Sequence, residues 1–321
     1  MLSLSGYREK FDQALRISLD FDEPKNLYEP VDYILSVGGK KIRPLLTLMA
    51  ADIFSGSYAE ALPAAMAVEI FHNFSLVHDD IMDNAPTRRG KQTVHEKFGQ
   101  NAGILSGDAM LILAYRQFEQ YGPGKFSELV RIFSKTALEV CEGQQYDVDF
   151  EMRTDVTISD YLKMIELKTA VLIAAALEMG AIVADASQND RRLIYDFGLN
   201  LGIAFQIQDD YLDAFGDAAT FGKTIGGDIT SNKKTFLYLK AVELSDSSQK
   251  ERLLWLYADR SDNKIDEVKT VFTASGASDA SLVAIRDYTE KAMDCLKRLG
   301  ISSDKREMLE LFAHNLMKRK V

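Results

Sequence analysis

All six prolines of this 321-residue chain lie at or before position 123: Pro24, Pro30, Pro44, Pro63, Pro86 and Pro123. Beyond Pro123 no residue obliges a helix to stop for want of an amide proton. Apolar residues recur at helical spacing almost throughout. Phe11, Leu15, Ser18 and Leu19 open the chain in this way, and Leu282, Ile285, Tyr288, Ala292 and Leu296 repeat it near the end. Alternating runs of strand type are absent. The pattern predicts an all-α fold of roughly a dozen helices. Breaks are expected at Asp22-Glu23-Pro24, Val37-Gly38-Gly39, Pro86 to Gly90, Tyr121 to Gly124 and Gly216 to Gly227. No low-complexity linker divides the sequence, so a single domain over 1–321 is expected.

Two acidic segments stand out, Asp79-Asp80-Ile81-Met82-Asp83 and Asp209-Asp210-Tyr211-Leu212-Asp213, and each ends a long apolar helical pattern. Residues four apart on a helix lie about 40° apart around the axis. Asp79 and Asp83 therefore share a face, as do Asp209 and Asp213. Asp80 and Asp210 are rotated by about 100° and are expected to support the others. Like charges one turn apart at a helix C-terminus repel each other and oppose the macrodipole. One such run is readily a solvated helix face, but two matching runs beside apolar faces ask for cations. Oxygen-only donors suit magnesium, which takes one or two carboxylates, waters and phosphate oxygens. Two such clusters can clamp one diphosphate through shared metals.

Cationic groups accompany both segments. Lys40 and Arg43 follow Gly38-Gly39, where a helix starts, and Thr87-Arg88-Arg89-Gly90 follows the first acidic segment. Arginine forks match phosphate oxygens. His72 lies two turns before Asp79 on a similar face. Lys168-Thr169 opens the apolar run Thr169 to Ala184, Gln206 precedes the second acidic segment by three residues, and Lys223 and Lys233 follow it. A buried lysine is costly unless paired, and a diphosphate is a suitable partner. Gly216 to Thr224 looks like a nucleotide P-loop. It has five residues rather than four before Gly222-Lys223, and it follows an acidic helix end rather than a strand.

The formal net charge of −10 argues against non-specific nucleic-acid binding. The run Thr169 to Ala184 contains Glu178 and Gly180 and is short of a membrane span, so a buried helix is expected. Only Cys141 and Cys295 are present, and the first residues show no basic-then-apolar signal pattern. A reducing, cytoplasmic setting is the expectation.

Taken in order, these motifs resemble the trans-type isoprenyl diphosphate synthases, or polyprenyl synthetases. The resemblance runs from about Gly38 to Lys234. It rests on Gly38 to Pro44, Leu76 to Asp83, Arg88-Arg89-Gly90, Gly143-Gln144-Gln145-Tyr146-Asp147, Lys168-Thr169-Ala170, and Phe205 to Asp213 with Gly222-Lys223 after it. It implies a helical bundle around a central cavity, a homodimer, and several magnesium ions per site. It implies ionisation of an allylic diphosphate, attack by the double bond of isopentenyl diphosphate, and loss of a proton that the leaving diphosphate can take. Under it, Lys40, Arg43, His72 and Arg89 bind isopentenyl diphosphate, and Arg88, Lys168, Lys223 and Lys233 hold the allylic diphosphate. Asp79, Asp83 and Asp209 are the main metal ligands, with Asp213 on the same face as Asp209 and Asp147 in support. Lys168, Thr169 and Gln206 stabilise the carbocation.

Phe74 lies five residues before Asp79 and Ser75 four before, so both sit one to two turns below the first acidic segment. An aromatic at the first position alone implies, in that family, a twenty-carbon product. Geranylgeranyl diphosphate is therefore expected, with farnesyl diphosphate as the alternative. A terpene cyclase needs no second basic pocket, and a non-catalytic partner subunit usually lacks an acidic segment; both alternatives fit the residues less well.

Overall fold

The structure, a computed structural model, describes residues 1–18, 23–217, 225–258 and 263–318. The described chain is helical nearly everywhere, as the apolar periodicity predicts. The helices are α1 (Leu4–Ser18), α2 (Lys25–Ser36), α3 (Ile42–Ser55), α4 (Leu62–Met82), α5 (Val94–Phe98), α6 (Gln100–Arg116), α7 (Pro123–Met152), α8 (Ile158–Ile165), α9 (Val171–Val183) and α10 (Gln188–Phe215). They continue with α11 (Gly227–Thr230), α12 (Phe236–Leu244), α13 (Ser247–Ala258), α14 (Lys264–Ala274), α15 (Ala277–Lys297) and α16 (Ser303–Met317). The expected breaks at Val37 to Gly39, Pro86 to Gly90 and Tyr121 to Gly124 separate helices. The break at Asp22 to Pro24 lies partly outside the described residues, and that at Gly216 to Gly227 largely so. One element departs from expectation: β1 (Thr87–Arg88) and β2 (Lys91–Gln92) form an antiparallel hairpin. Two-residue strands are too short to show an alternating pattern.

Residues group into two compact units, 1–135 with 175–192, and 136–174 with 193–321. The dividing positions fall inside α7, α9 and α10, so no linker marks them, in line with the sequence. In the first unit, α4 packs against α3 and α6. Its core holds fully buried Tyr7, Phe11, Leu46, Met49, Ile53 and Phe71. Phe133 lies within an aromatic cluster, its ring centroid 5.2 Å from Phe71, 4.8 Å from Tyr115 and 5.1 Å from Phe118. Each such side chain contributes on the order of 2 kcal/mol by leaving water.

In the second unit, Tyr161, Ile165, Ile207, Phe236, Leu253 and Phe272 belong to one buried cluster. A capping box starts α8: Asp160 N–H donates to Thr157 Oγ1 at 3.1 Å, and Thr157 N–H donates to Asp160 Oδ2 at 3.0 Å. The apolar run from Thr169 is buried helix, as expected, but it begins in a π turn, Glu166–Ala170. Among the described residues no helix is long and apolar enough to cross a membrane.

Candidate active site

The first acidic segment closes α4. Asn84 takes a left-handed conformation (φ 48°), Asn84 N–H donates to Ile81 O, and Ala85 N–H donates to Asp80 O at 2.9 Å. This is the bonding pattern of a Schellman cap. The chain then turns back through the hairpin, whose two loop residues, Arg89 and Gly90, both have positive φ (54° and 74°). The return carries Arg88 over the helix end. Arg88 Nε donates to Asp80 Oδ1 at 2.8 Å and to Oδ2 at 2.9 Å, and its Nη2 lies 3.4 Å from Asp79 Oδ2. Asp80 is 1 % exposed. Burial works against the Arg88 charge, but the hydrogen bonds and charges of Asp80 and Asp79 outweigh it and hold the guanidinium more firmly protonated. Asp80 thus supports the segment, as its rotation around the helix predicts. Asp79 is half-buried and Asp83 exposed at the helix end.

Arg89 points the other way along the hairpin. Its Nη1 donates to Gly38 O. A Cβ built on Gly39 would lie 2.8 Å from Arg89 Cζ, and Gly39 has φ 136°, so only glycine lets the guanidinium sit there. Beside it Arg43 Nη1 lies 3.2 Å from His72 Nε2. Guanidinium has donors only, so His72 Nε2 accepts and the ring proton sits on Nδ1. Burial, and then the charges of Arg43, Arg89, Arg88 and Lys41, push the His72 pKa well below its usual value. Burial also pulls Arg43 down to about 10, with Glu69 opposing and Arg89 assisting. Arg43 Nε is buried without a hydrogen-bond partner. Lys40 is exposed.

The next residue, Lys41, is the one that turns inward. It is left-handed (φ 52°) and buried, and its Nζ donates to Glu69 Oε1 at 2.9 Å. Asn73 Nδ2 donates to the same oxygen at 2.9 Å. Glu69 is the anion facing three cations, Lys41, Arg43 and Arg89, and neither it nor Lys41 was singled out by the sequence reading. A lone acid in an apolar helical run carries no local signal of such a partner. Five residues past Glu69, Phe74 packs between Phe71 (5.5 Å) and His78 (4.8 Å), and Ser75 Oγ donates to His72 O at 2.8 Å.

In the second unit the π turn carries Lys168 and Thr169. Cβ atoms added to Gly143 on α7 would lie 2.7 Å from Leu167 C, and to Gly202 on α10, 2.8 Å from Ala170 Cβ. Both neighbouring helices therefore approach the turn as backbone. One helical turn beyond Gly143, Asp147 accepts from Lys168 Nζ at 2.6 Å. The partner that the sequence reading sought for Lys168 in a diphosphate is, in the protein alone, this carboxylate. Thr169 Oγ1 donates to Gln206 Oε1 at 3.1 Å, Gln206 Nε2 donates to Asp210 Oδ1 at 2.9 Å, and Tyr161 Oη donates to Asp210 Oδ2 at 2.5 Å. Burial, and then the charge of Asp228, raise Asp210 to about 8. Asp210, like Asp80, is a supporting group.

Asp209 is half-buried. Asp213 is largely buried; its Oδ2 accepts from Asp228 N–H at 3.0 Å and its carbonyl from Gly226 N–H at 2.7 Å. It thereby fixes the start of α11, a task that shared-face geometry did not anticipate. Lys233 is exposed, and its backbone N–H donates to Asp228 O at 2.9 Å. Lys223, and most of the P-loop-like stretch, lie outside the described residues.

Among the described residues no three His, Cys, Asp or Glu side chains already converge on a metal position. The donors present nevertheless fit a hard divalent cation. They are carboxylate oxygens only, and magnesium commonly keeps waters and borrows phosphate oxygens instead of requiring an all-protein cage. With Asp80 engaged by Arg88, Asp79 and exposed Asp83 are the carboxylates that the first segment presents.

A helical protein with two carboxylate-bearing helix ends and separate cationic groups is, as a class, a metal-assisted diphosphate enzyme. The polyprenyl synthetase family model matches residues 24–275, and the chain belongs to that family and is a prenyltransferase. It is 35% identical over 317 residues to a short chain isoprenyl diphosphate synthase of Methanothermobacter thermautotrophicus, covering 98% of this chain and 97% of that one. A solved geranylgeranyl pyrophosphate synthase superposes with a TM-score of 0.96 at 51% identity, covering 100% of both chains. A geranylgeranyl pyrophosphate synthase of Corynebacterium glutamicum, solved with isoprenyl diphosphate and magnesium, matches with a TM-score of 0.88 at 26% identity over 99% of this chain and 100% of that one. Divalent-metal use belongs to this family.

Proposed function

We propose that the chain condenses isopentenyl diphosphate with an allylic diphosphate in a magnesium-dependent reaction that ends at geranylgeranyl diphosphate. The observation that carries this reading is the pair of cations Arg43 and Arg89, with His72 beside them, around Gly38-Gly39. It is distinct from the carboxylates of the acidic segments, and a cyclase with one diphosphate has no use for it. Arg43, with a buried guanidinium nitrogen still to be satisfied, and Arg89 bind the isopentenyl diphosphate. Neutral His72 adds a donor through Nδ1, and exposed Lys40 a mobile charge. Lys168, released from Asp147, takes the allylic diphosphate with Arg88, Lys223 and Lys233.

Asp79, Asp83 and Asp209 hold the metal ions, Asp213 assists Asp209, and several ions serve one reaction. When bound, these ions supply positive charge that stabilises the departing diphosphate. The oxygens of Thr169 and Gln206 then face the allylic cation, and the released diphosphate removes the final proton. Phe74 limits growth of the product, and small Ser75 leaves room for twenty carbons rather than fifteen. The whole chain, 1–321, serves as one synthase and pairs with a second copy. Exposed Leu105 and Ile112 on α6, each 59 % exposed, are apolar surface suited to such pairing.

Incubation with magnesium, isopentenyl diphosphate and each of the C5, C10 and C15 allylic diphosphates, followed by product sizing, tests the reading. Elongation to C20 is expected. No elongation with any starter sinks the reaction, and a C15 or C25 end point sinks the product assignment alone.

A further inference from the structure

The hydrogen bonds around Asp210 form a chain with a fixed direction. Tyr161 stands on α8, one residue past the capping box that anchors that helix, and is 1 % exposed. Its hydroxyl meets Asp210 Oδ2 at 2.5 Å. The other oxygen, Oδ1, accepts from the Gln206 amide at 2.9 Å. Gln206 and Asp210 are one helical turn apart on α10, so the same face presents both. Whichever of Tyr161 Oη and Asp210 Oδ2 carries the proton between them, Oδ1 remains an acceptor. The Gln206 side chain must therefore turn its NH2 to Asp210 and its carbonyl away. That carbonyl, Oε1, receives the Thr169 hydroxyl proton at 3.1 Å. With its proton committed to Gln206, Thr169 is left with oxygen lone pairs to offer, and Gln206 Oε1 keeps a second lone pair.

Thr169 and Gln206 both retain exposed surface, whereas Tyr161 and Asp210 do not. The half of the chain that meets solvent or ligand thus offers the Thr169 and Gln206 oxygens as acceptors, beside the second Gln206 amide N–H, and the half that sets its polarity is buried. The π turn adds to this. Wedged by Gly143 and Gly202, it displaces Thr169 from regular α-helical phase.

We infer that Tyr161 is a positioning residue which, through Asp210, locks Gln206 and Thr169 with their oxygens outward for the electron-poor carbon of the allylic substrate. This rests on the prenyl-transfer reading above. Tyr161 packs its ring edge against Phe236 at 6.0 Å, so Tyr161→Phe keeps the packing and deletes only the hydroxyl.

The test is steady-state kinetics of the full chain with magnesium, isopentenyl diphosphate and an allylic diphosphate. It compares the unmodified protein, Tyr161→Phe, Gln206→Ala and the double variant, with thermal unfolding of each. Tyr161→Phe is expected to lower kcat about ten-fold, as loss of an outer hydrogen-bond partner typically does, with both KM values within about two-fold. In the Gln206→Ala background the same change is expected to do little more, because the group it positions is gone. Unchanged kcat in Tyr161→Phe, a shift confined to KM, or an equal further loss in the Gln206→Ala background overturns the relay. If Tyr161→Phe does not fold, Asp210→Ala, which removes the oxygen that Gln206 donates to, breaks the chain from its other member. It is expected to lower kcat at least as much, and full kcat there overturns the proposal. No elongation by the unmodified protein overturns the functional reading and this one together; elongation with an unaffected Tyr161→Phe overturns this one alone.

Discussion

Spacing put Phe74 five residues before Asp79 and the family resemblance made it the proposed length-setting residue; its surroundings add a mechanical basis for that proposal. The ring is held between Phe71 and His78, so it cannot swing aside without breaking two aromatic contacts worth about 0.5–1.5 kcal/mol each. Phe74→Ala is expected to move the dominant product beyond C20, read by chromatography of the dephosphorylated alcohols; an unchanged length would remove the ruler role. His72 was legible only as a histidine on a suitable face. What it lacked in sequence was the company of Arg43, Arg89, Arg88 and Lys41, which makes it neutral. Its pKa is lowered in the folded state, so below its ordinary value near 6.5 the unfolded chain binds a proton that the folded one refuses. Stability is therefore full above that pH and falls as the pH drops through it. The slope from this residue approaches about 1.4 kcal/mol per pH unit. Urea unfolding at pH 7.5 and 5.5 is expected to show that loss in the unmodified protein and its absence in His72→Gln. Parallel pH dependences in the two would disprove a neutral His72.

At the scale of elements, helix periodicity located α4 and α10 and the helix ends that carry the aspartates. It could not locate the π turn at Glu166–Ala170, because a turn closed by i to i+5 bonds leaves no mark in composition. Nor could it see the hairpin that aims Arg88 at Asp80 and Arg89 at Gly38. The hint available was Gly143, quoted as a motif residue without a mechanical role. A glycine inside a helix costs about 1 kcal/mol relative to alanine, and here the missing Cβ is what lets α7 approach the backbone of Leu167 and Lys168. Gly143→Ala gains that propensity yet forces two backbones apart. It is expected to lower stability by about 1–3 kcal/mol and to lower kcat by displacing Lys168 and Thr169. Thermal unfolding and kcat measured on one preparation check this. A stabilised variant with full activity would mean that the turn adapts freely.

For the molecule as a whole, the two acidic segments belong to different compact units, 1–135 with 175–192 and 136–174 with 193–321. Stability and activity should therefore respond to their loss in different ways. Asp79→Ala leaves Arg88 its two bonds to Asp80, so the end of α4 keeps its fold. Asp209→Ala leaves Asp210 held by Tyr161 and Gln206, and Asp213 held at α11. Effects on unfolding are expected to be small for each and to add in the double variant, because the two residues share none of these partners. Turnover should behave otherwise. If both segments hold metal for one departing diphosphate, removing either disables the whole, and groups that act as a unit are strongly non-additive. Each single variant is expected to lose most of kcat, on the order of a thousand-fold for loss of a group that stabilises developing charge. The double variant is expected to fall little further. Circular dichroism melts and product formation at saturating magnesium measure the two responses side by side. Rate losses that multiply in the double variant would show that the segments act on separate steps and would break the link between them.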